Sequence, residues 1–274
     1  MSTSASVLLA IISCLEVFTD VSQPESNQFI ATGWNVDSGQ ADPHLAALRV
    51  ARFQGVHLWG LCEVKNSQWA ELFVRAAGEN EPGEFIGIIS RTGGTDQSCI
   101  IYDTTRFDLV RSFEIDWADR LWYCPRMPIR PPLVAHLRHR ATGQELLFMV
   151  DRMYGCRIDM QAEALNAWAS AQTLPLVAVG TYDFQYDPET GPLCPDGQKA
   201  LLALIADGVF HWLAPDNPVS TFNWDRDVID DFVFLANTSG RLSGQSRIVV
   251  EPGDFAGGDT ASNHRPVQAT LNVR

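Results

Sequence analysis

Five polar residues stand at the ends of apolar, strand-like segments of this chain: Asn35, Glu63, Asp183, Asp231 and His264. Active sites tend to form on strand ends and loops that a rigid scaffold holds in place. Acidic clusters that hold a divalent cation are one way in which an acidic protein engages a phosphate ester. Each residue alone is more typical of a turn or a helix cap. Their joint order along the chain indicates an active site.

The segments around the first two of these residues predict a β-α-β unit. Strands at Phe29 to Asn35 and Val56 to Val64 flank a helix that has Asp42 as its N-cap and ends at Gly55. The predicted buried face of this helix consists of Leu45, Leu48 and Ala51. A helix between two strands of this length should connect neighbours in one sheet.

The rest of the chain predicts a mostly antiparallel meander between residues 85 and 150, then a helix near residues 159–171 and further strands to the C-terminus. Two sheets packed face to face, with helices outside, accommodate this order of elements. Because no long Pro/Gly linker or internal repeat interrupts it, residues 28–274 are expected to form a single domain.

Composition bounds the class of protein. The chain has 274 residues, of which 46% are hydrophobic, and this is enough apolar material for a large core. Its formal net charge of −13 argues against an extended nucleic-acid surface, since such surfaces neutralise phosphates with Lys and Arg. A local phosphate site is compatible with this charge. The six cysteines include no Cys-x-x-Cys pair, which argues against structural zinc.

The first 27 residues allow two interpretations. The apolar run Val7 to Ile12, followed by Ser13 and Cys14, fits a lipoprotein signal, but no Lys or Arg precedes Arg49. A signal would place the protein in the periplasm or outside the cell, secreted or lipid-anchored. A docked N-terminal extension would leave it in the cytoplasm. The run is too short to span a bilayer, so no transmembrane segment is predicted.

The motifs at the strand ends resemble those of the endonuclease/exonuclease/phosphatase superfamily, in particular its bacterial, DNase-like phosphodiesterases. The resemblance covers roughly residues 29 to 274, and its motifs are Trp34-Asn35, Glu63-Val64, Tyr102-Asp103 and His264-Arg265-Pro266. It implies an α+β fold, a four-layer α-β-β-α sandwich of two mostly antiparallel sheets with helices outside.

The resemblance also implies a site and a reaction. Glu63 and Asn35 would hold Mg²⁺ or Mn²⁺, for which oxygen ligands are suited. Asn35, Tyr102 and Arg152 would bind the substrate phosphate. The catalytic set would be His264, Asp183, Asp231 and Asn263. The expected reaction is attack of water on a phosphodiester or phosphomonoester, with a nucleic acid or nucleotide among the candidate substrates, and the protein is expected to be a monomer.

Three motifs depart from the family pattern. The family's Gly-Asp-x-Asn is here Gly180-Thr181-Tyr182-Asp183, and a threonine cannot act as a general base near neutral pH. Asp183 is the candidate to replace the lost acid, since side chains two residues apart in an extended segment point the same way. The family's Asn-His pair is Asp151-Arg152 here, and its closing Asp-His pair is Asn263-His264.

These departures leave two functions open. The first is a divergent, metal-dependent phosphoesterase with a partly rebuilt site. The second is a catalytically impaired member that binds a phosphate ligand or a protein through Arg152, whose guanidinium grips phosphate but cannot shuttle a proton. A heavily substituted or designed version of the family would show the same pattern.

Overall fold

The structure is a computed structural model that describes residues 27–115, 130–155, 157–223, 227–252, 254–255 and 261–274. The N-terminal residues 1–26, on which the expected signal or docked extension falls, lie outside the described residues. No helix in the described ranges is long and apolar enough to cross a membrane.

Fourteen strands, four α-helices and one short 3-10 helix make up the described chain. In chain order the strands are β1 (Gln28–Asn35), β2 (Leu58–Val64), β3 (Phe85–Ile89), β4 (Gln97–Asp103), β5 (Phe107–Glu114), β6 (Leu133–His139), β7 (Glu145–Met153), β8 (Leu176–Asp187), β9 (Gly191–Pro192), β10 (Phe210–Trp212), β11 (Phe222–Asn223), β12 (Asp227–Ala236), β13 (Leu242–Ile248) and β14 (Val267–Val273). The helices are α1 (Pro43–Val50), α2 (Ser67–Gly78), α3 (Ile158–Ser170) and α4 (Pro195–Leu204), and the 3-10 helix is Ala206–Gly208.

Two mixed sheets of similar layout face each other. The first has the order β13-β14-β1-β2-β4-β3, and the second has the order β10-β12-β8-β7-β6-β5, with β9 and β11 attached to β8 and β12. In each sheet the central pair is parallel, β1 with β2 and β7 with β8, and the other pairs are antiparallel. Because the parallel strands end at the same edge of the sandwich, their C-terminal residues are brought together.

The helices cover the outer faces. The core under α1 and α2 includes Trp34, Trp59 and Phe73, and a larger core fills the space between the sheets and under α3 and α4. The layers therefore run α-β-β-α, which confirms the predicted fold class.

Glycines let the two sheets meet closely at their centre. A Cβ atom at Gly60 would lie 2.3 Å from Cγ2 of Val179, and a Cβ atom at Gly33 would lie 2.8 Å from the Cβ of the same valine. Real Cβ atoms do not approach other atoms so closely, so any larger residue at either position forces the sheets apart. This close approach holds β1 and β2 against β8, which carry three of the residues predicted for the site.

The predicted β-α-β unit is confirmed, but of the predicted buried face of α1 only Ala51 is buried, and Leu45 and Leu48 are not. The Asp42 carboxylate accepts a hydrogen bond from the backbone N–H of His44, 2.8 Å away, as expected of an N-cap. Leu45 and Leu48 are 43% and 54% exposed. The buried residues of α1 are Ala46, Ala47, Arg49 and Val50. Small alanines let α1 pack closely beside α2, and this turns the leucines outward.

Candidate active site

Strand register places the predicted polar residues of the second sheet in one row. Thr181 of β8 pairs with Arg152 of β7 on one side and with Asp231 of β12 on the other. Residues directly opposite each other in neighbouring strands present their side chains on the same face. From the first sheet, Asn35 at the end of β1 reaches this row, because its side-chain amide lies 3.3 Å from the Thr181 hydroxyl oxygen.

Six side chains form a continuous hydrogen-bonded path, which we call the polar chain. In order along the path its members are Arg152, Glu63, Asn35, Thr181, Asp231 and His264. Asn35 Nδ2 donates to Glu63 Oε1 at 2.8 Å, and the Thr181 hydroxyl donates to Asp231 Oδ1 at 2.8 Å. Each internal member has a partner on both sides, so the path orders side chains from both sheets.

Glu63 reaches the polar chain because the backbone bends at the end of β2. Its φ of 57° lies in the left-handed region, which residues other than glycine rarely adopt. The register between β2 and β4 also shifts between Leu61 and Val64. Such irregularities re-aim a side chain and cost roughly 1–3 kcal/mol where a non-glycine residue is held in this region. The strained residue is the one that presents its carboxylate to Asn35 and Arg152.

His264 is buried and oriented from several sides. Its Nδ1 lies 2.7 Å from Asp231 Oδ2, its backbone carbonyl accepts from Trp34 Nε1 at 3.0 Å, and its ring stacks on Phe222 with centroids 4.5 Å apart. Burial lowers the pKa of His264, but the charge and hydrogen bond of Asp231 outweigh this and leave the pKa raised. With Nδ1 facing Asp231, the other ring nitrogen, Nε2, is the one available to a ligand.

Asn263, the neighbour of His264 in the closing motif, does not orient the imidazole. The imidazole is oriented by Asp231, and a carboxylate favours the imidazolium in a way that an amide cannot. Asn263 lines the cleft beside His264, and its Oδ1 is buried without a hydrogen-bond partner among the described residues. The change from aspartate to asparagine in this motif therefore leaves the histidine with an acidic partner.

Thr181 is fully engaged within the polar chain. Its hydroxyl oxygen accepts from Asn35 and its proton goes to Asp231. The residue is buried, so it bridges the two sheets as a neutral group where the family motif has a carboxylate. This position therefore cannot activate water, as the sequence predicted.

Arg152 forms an ion pair with Glu63 through Nη2, and both side chains are 13% exposed. The guanidinium also lies over the ring of Tyr154, 4.6 Å from its centroid. Its Nε and Nη1 groups are buried and have no hydrogen-bond partner among the described residues. Unpartnered buried donors of this kind point to a ligand, an ion or ordered water.

A cleft of about 450 Å³ opens over one end of the polar chain. Its lining includes Glu63, Arg152, Asp183, Asn263 and His264. Burial raises the pKa of Asp183, and its hydrogen bond with Gln185, the positive charge of Arg152 and the Gly155 N–H oppose the rise. The structure thus brings Asp183 to the same cleft as the histidine and the arginine.

Asp37 is a cleft residue that sequence reasoning missed. Its backbone N–H donates to Asn35 Oδ1 at 3.0 Å, and its side chain lines the cleft. Burial, followed by the charge of Glu63, raises its pKa. Asp37 lies beyond the end of β1 with a φ of 48°, so its direction is set by the turn that its N–H forms with Asn35 Oδ1, which strand periodicity does not predict.

Tyr102 does not belong to the site, and its expected contact with phosphate is corrected. Tyr102 pairs with Leu58 at the start of β2, while Glu63 lies near the end of that strand. Because β4 runs antiparallel to β2, the end of β4 lies at the opposite edge of the sandwich from the cleft. The Tyr102 side chain packs into the core between the sheets instead.

The described residues do not fit the expected magnesium or manganese site. Glu63 Oε1 already accepts from Asn35 and pairs with the guanidinium of Arg152. Within the described ranges there is no group of three His, Cys, Asp or Glu side chains placed to hold a metal ion. Two charges 4 Å apart at an effective dielectric of 20 interact by about 4 kcal/mol, so a divalent cation beside Arg152 meets strong repulsion.

The comparisons with known proteins bear on the fold. Neither a family model nor a curated protein matches the sequence. The structure is similar to an endonuclease/exonuclease/phosphatase from Bacteroides vulgatus, with a TM-score of 0.67, 15% identity, and coverage of 90% of this chain and 99% of the other. A Bacteroides thetaiotaomicron mannosyl-6-phosphatase gives a TM-score of 0.60, 17% identity and coverage of 89% and 99%. D. rerio TDP2 in complex with a single-strand DNA product gives a TM-score of 0.66 and 17% identity, with coverage of 90% of this chain and 99% of the other.

Structural similarity at 15% to 17% sequence identity indicates a shared fold. Nearly the whole of each compared chain is covered, so the likeness extends over the complete sandwich and is not confined to one sheet. The order of strand-end motifs predicted this architecture, and the topology and the comparisons agree on it. The chain has the fold of the endonuclease/exonuclease/phosphatase superfamily.

Proposed function

We propose that the cleft binds a phosphate ester and catalyses its hydrolysis, with Arg152 and the His264 imidazolium as its cationic groups. The observation that carries this proposal is that Arg152, paired with Glu63, and His264, paired with Asp231, both line one cleft in a chain whose net charge is −13. Arg152 offers two buried N–H groups without partners among the described residues, and His264 has a raised pKa. Such donors are suited to the charge on phosphate oxygens.

Proteins that share the fold support a phosphate ester as the ligand. One of those compared is a mannosyl-6-phosphatase, and another was solved with a single-strand DNA product. The name of the first protein and the DNA bound to the second both point to phosphate ester groups. The strongly acidic net charge of this chain favours a small ester or the end of a nucleic-acid strand over a long nucleic acid.

The arrangement assigns each step of hydrolysis to a side chain. Arg152 holds a phosphate oxygen through one of its unpaired donors, Nε–H or Nη1–H. A water attacks phosphorus, and its proton goes to the carboxylate of Asp183, whose raised pKa makes it a better base. The bond from phosphorus to the leaving oxygen breaks, and that oxygen takes the proton from Nε2 of His264. Asp231 keeps the imidazole in the required orientation.

Binding without hydrolysis is a second candidate function. The observation that favours it is Thr181, which stands where the family motif has the carboxylate and is bonded on both sides. Under this alternative, Arg152 and His264 hold a phosphate group that is never attacked. Asp183 is the residue that decides between the two functions.

The test combines turnover with binding. Hydrolysis of bis-p-nitrophenyl phosphate is measured for the parent chain, His264→Gln and Asp183→Asn, and binding of inorganic phosphate is measured by calorimetry. Asp187→Asn serves as the matched control, because Asp187 lies on the same strand, β8, and is absent from the residues that line the cleft. We expect each cleft variant to lose roughly 10²- to 10⁴-fold in turnover and the control to keep it.

The outcomes separate the candidates. Turnover that is unchanged in His264→Gln and Asp183→Asn contradicts the hydrolytic assignment. A parent chain that binds phosphate but does not hydrolyse the ester, and loses binding in Arg152→Met, supports the binding function. A parent chain that neither binds nor hydrolyses refutes both.

A further inference from the structure

We infer that the guanidinium of Arg152 occupies the cation position of this site, so that the cleft works on phosphate esters without a divalent metal. The inference rests on the proposed function, because it concerns the same cleft. Its starting point is the ion pair between Arg152 Nη2 and Glu63 Oε1. The carboxylate expected to hold a metal is already neutralised by a side chain of the protein.

The guanidinium is held in a fixed position. Arg152 lies on β7, in register with Thr181 of the neighbouring parallel strand, and its guanidinium rests 4.6 Å from the ring centroid of Tyr154. Its side chain is 13% exposed, so solvent screens the ion pair weakly. A guanidinium does not lose its proton in a protein. A cation is therefore present beside Glu63 at every pH at which the protein folds.

The same group retains free donors for a ligand. Nη2 is used by Glu63, while Nε and Nη1 have no partner among the described residues. A metal ion would connect the carboxylate to phosphate oxygens through its coordination sphere. The guanidinium binds the carboxylate through Nη2, and its Nε–H and Nη1–H groups, on either side of Nη2, stay unpaired in a residue that lines the cleft.

The partner carboxylate that a metal needs is also missing from the polar chain. Thr181 stands between Asn35 and Asp231 as a neutral hydroxyl, and Asp231 is engaged by this hydroxyl and by His264. Both acidic members of the polar chain, Glu63 and Asp231, are thus already paired with protein groups. The site as built recognises an anion directly.

The test measures Mn²⁺ binding by electron paramagnetic resonance, together with the effect of a chelator. We expect the parent chain not to bind Mn²⁺ at Glu63, and its phosphate binding or turnover to be the same with and without EDTA. Removing the guanidinium in Arg152→Ala should free the carboxylate and strengthen Mn²⁺ binding by roughly 10- to 100-fold. The double variant Arg152→Ala, Glu63→Gln should lose this gain.

Arg157→Ala is the matched control, because it removes the same charge from an exposed side chain five residues along the chain and should gain no metal affinity. Arg152→Lys keeps a cation beside Glu63 and should also gain none. Stoichiometric Mn²⁺ binding by the parent chain that is lost in Glu63→Gln would overturn the inference, and this measurement does not depend on how the arginine variants fold. In that case phosphate binding that depends on His264 would still uphold the proposed function.

Discussion

Replacing Asp151 with asparagine should stabilise the protein above neutral pH. Asp151 lies directly before Arg152 on β7 and is fully buried. Neither of its carboxylate oxygens has a hydrogen-bond partner among the described residues. Burial raises the pKa of this carboxyl from 3.8 to about 7, and the nearby backbone N–H of Arg152, which lies outside hydrogen-bond geometry, opposes the rise only in part. The folded protein therefore resists ionisation of this group.

The magnitude follows from the two pKa values. Because the pKa of this carboxyl is higher in the folded state, the carboxyl does not lower the free energy of unfolding below pH 3.8. As the pH rises from 3.8 to about 7, the cost of ionising the group in the folded protein lowers that free energy. The difference is about 3 pKa units, and at 1.36 kcal/mol per unit the loss is about 4 kcal/mol. An asparagine has nearly the same shape and no charge. Asp151→Asn should thus gain about 4 kcal/mol at pH 8 and less than about 1 kcal/mol at pH 4.

Urea unfolding of the parent chain and the variant, followed from pH 4 to pH 8, measures this gain. Asp187→Asn is the control, because Asp187 is partly exposed and its pKa is lowered by hydrogen bonds from Thr190 and Glu189. Removing the negative charge of Asp187 should not increase the free energy of unfolding at any pH. A variant Asp151→Asn that is no more stable than the parent at pH 8 would refute the reasoning, since it would mean that the buried carboxylate is compensated.

Three further predictions concern the histidines and the contact between the sheets. Asp231→Asn should lower the pKa of His264 by roughly 1–3 units in an NMR titration, because the neighbouring negative charge is removed; an unchanged pKa would contradict the pairing. Gly60→Ala should cost roughly 1–3 kcal/mol in urea unfolding, because the added methyl group meets the facing sheet, whereas Gly39→Ala should be close to neutral. Burial lowers the pKa of His57 to about 4, so its contribution to the free energy of unfolding is full above pH 6.5 and is lost as the pH falls towards 4. His57→Gln should reduce the drop in the free energy of unfolding between these pH values by about 3 kcal/mol. An equal drop in parent and variant would contradict this prediction.

The parts of the fold that sequence predicted well are those set by local chemistry. Asp42 before Pro43 was predicted to cap α1, and its carboxylate accepts from the N–H of His44 at 2.8 Å. These signals act within a few residues and are visible in the chain itself. The order of the strand-end motifs, through their resemblance to one superfamily, predicted the α-β-β-α layers.

The parts that sequence missed depend on pairing across long separations. Tyr102 ends a strand as Glu63 does, but the antiparallel direction of β4 takes it to the opposite edge. The closing motif places Asn263 next to His264 in the chain, whereas the hydrogen-bond partner of the imidazole, Asp231, lies 33 residues away. A motif states which residues end a strand, and only the register decides which of them meet.

The substitutions in the site are best explained as changes that compensate one another. Compared with the family motifs, Thr181 removes a negative charge and Arg152 adds a positive one. The buried carboxylates that remain in the polar chain, Glu63 and Asp231, are paired with Arg152 and His264 respectively. Each carboxylate of the polar chain therefore has a basic partner within the protein.

Reversing either change alone would disturb that pairing. A carboxylate at position 181 would lie between Asn35 and Asp231 and would place a third buried acid beside two others, which raises the pKa of at least one of them. A neutral residue at position 152 would leave Glu63 as an unpaired, largely buried charge. The two positions are adjacent in the β7–β8 register, so the loss of the acid and the gain of the guanidinium form one coupled change. Under the inference above, this coupled change is what would make the cleft a site for an anion in place of a metal ion.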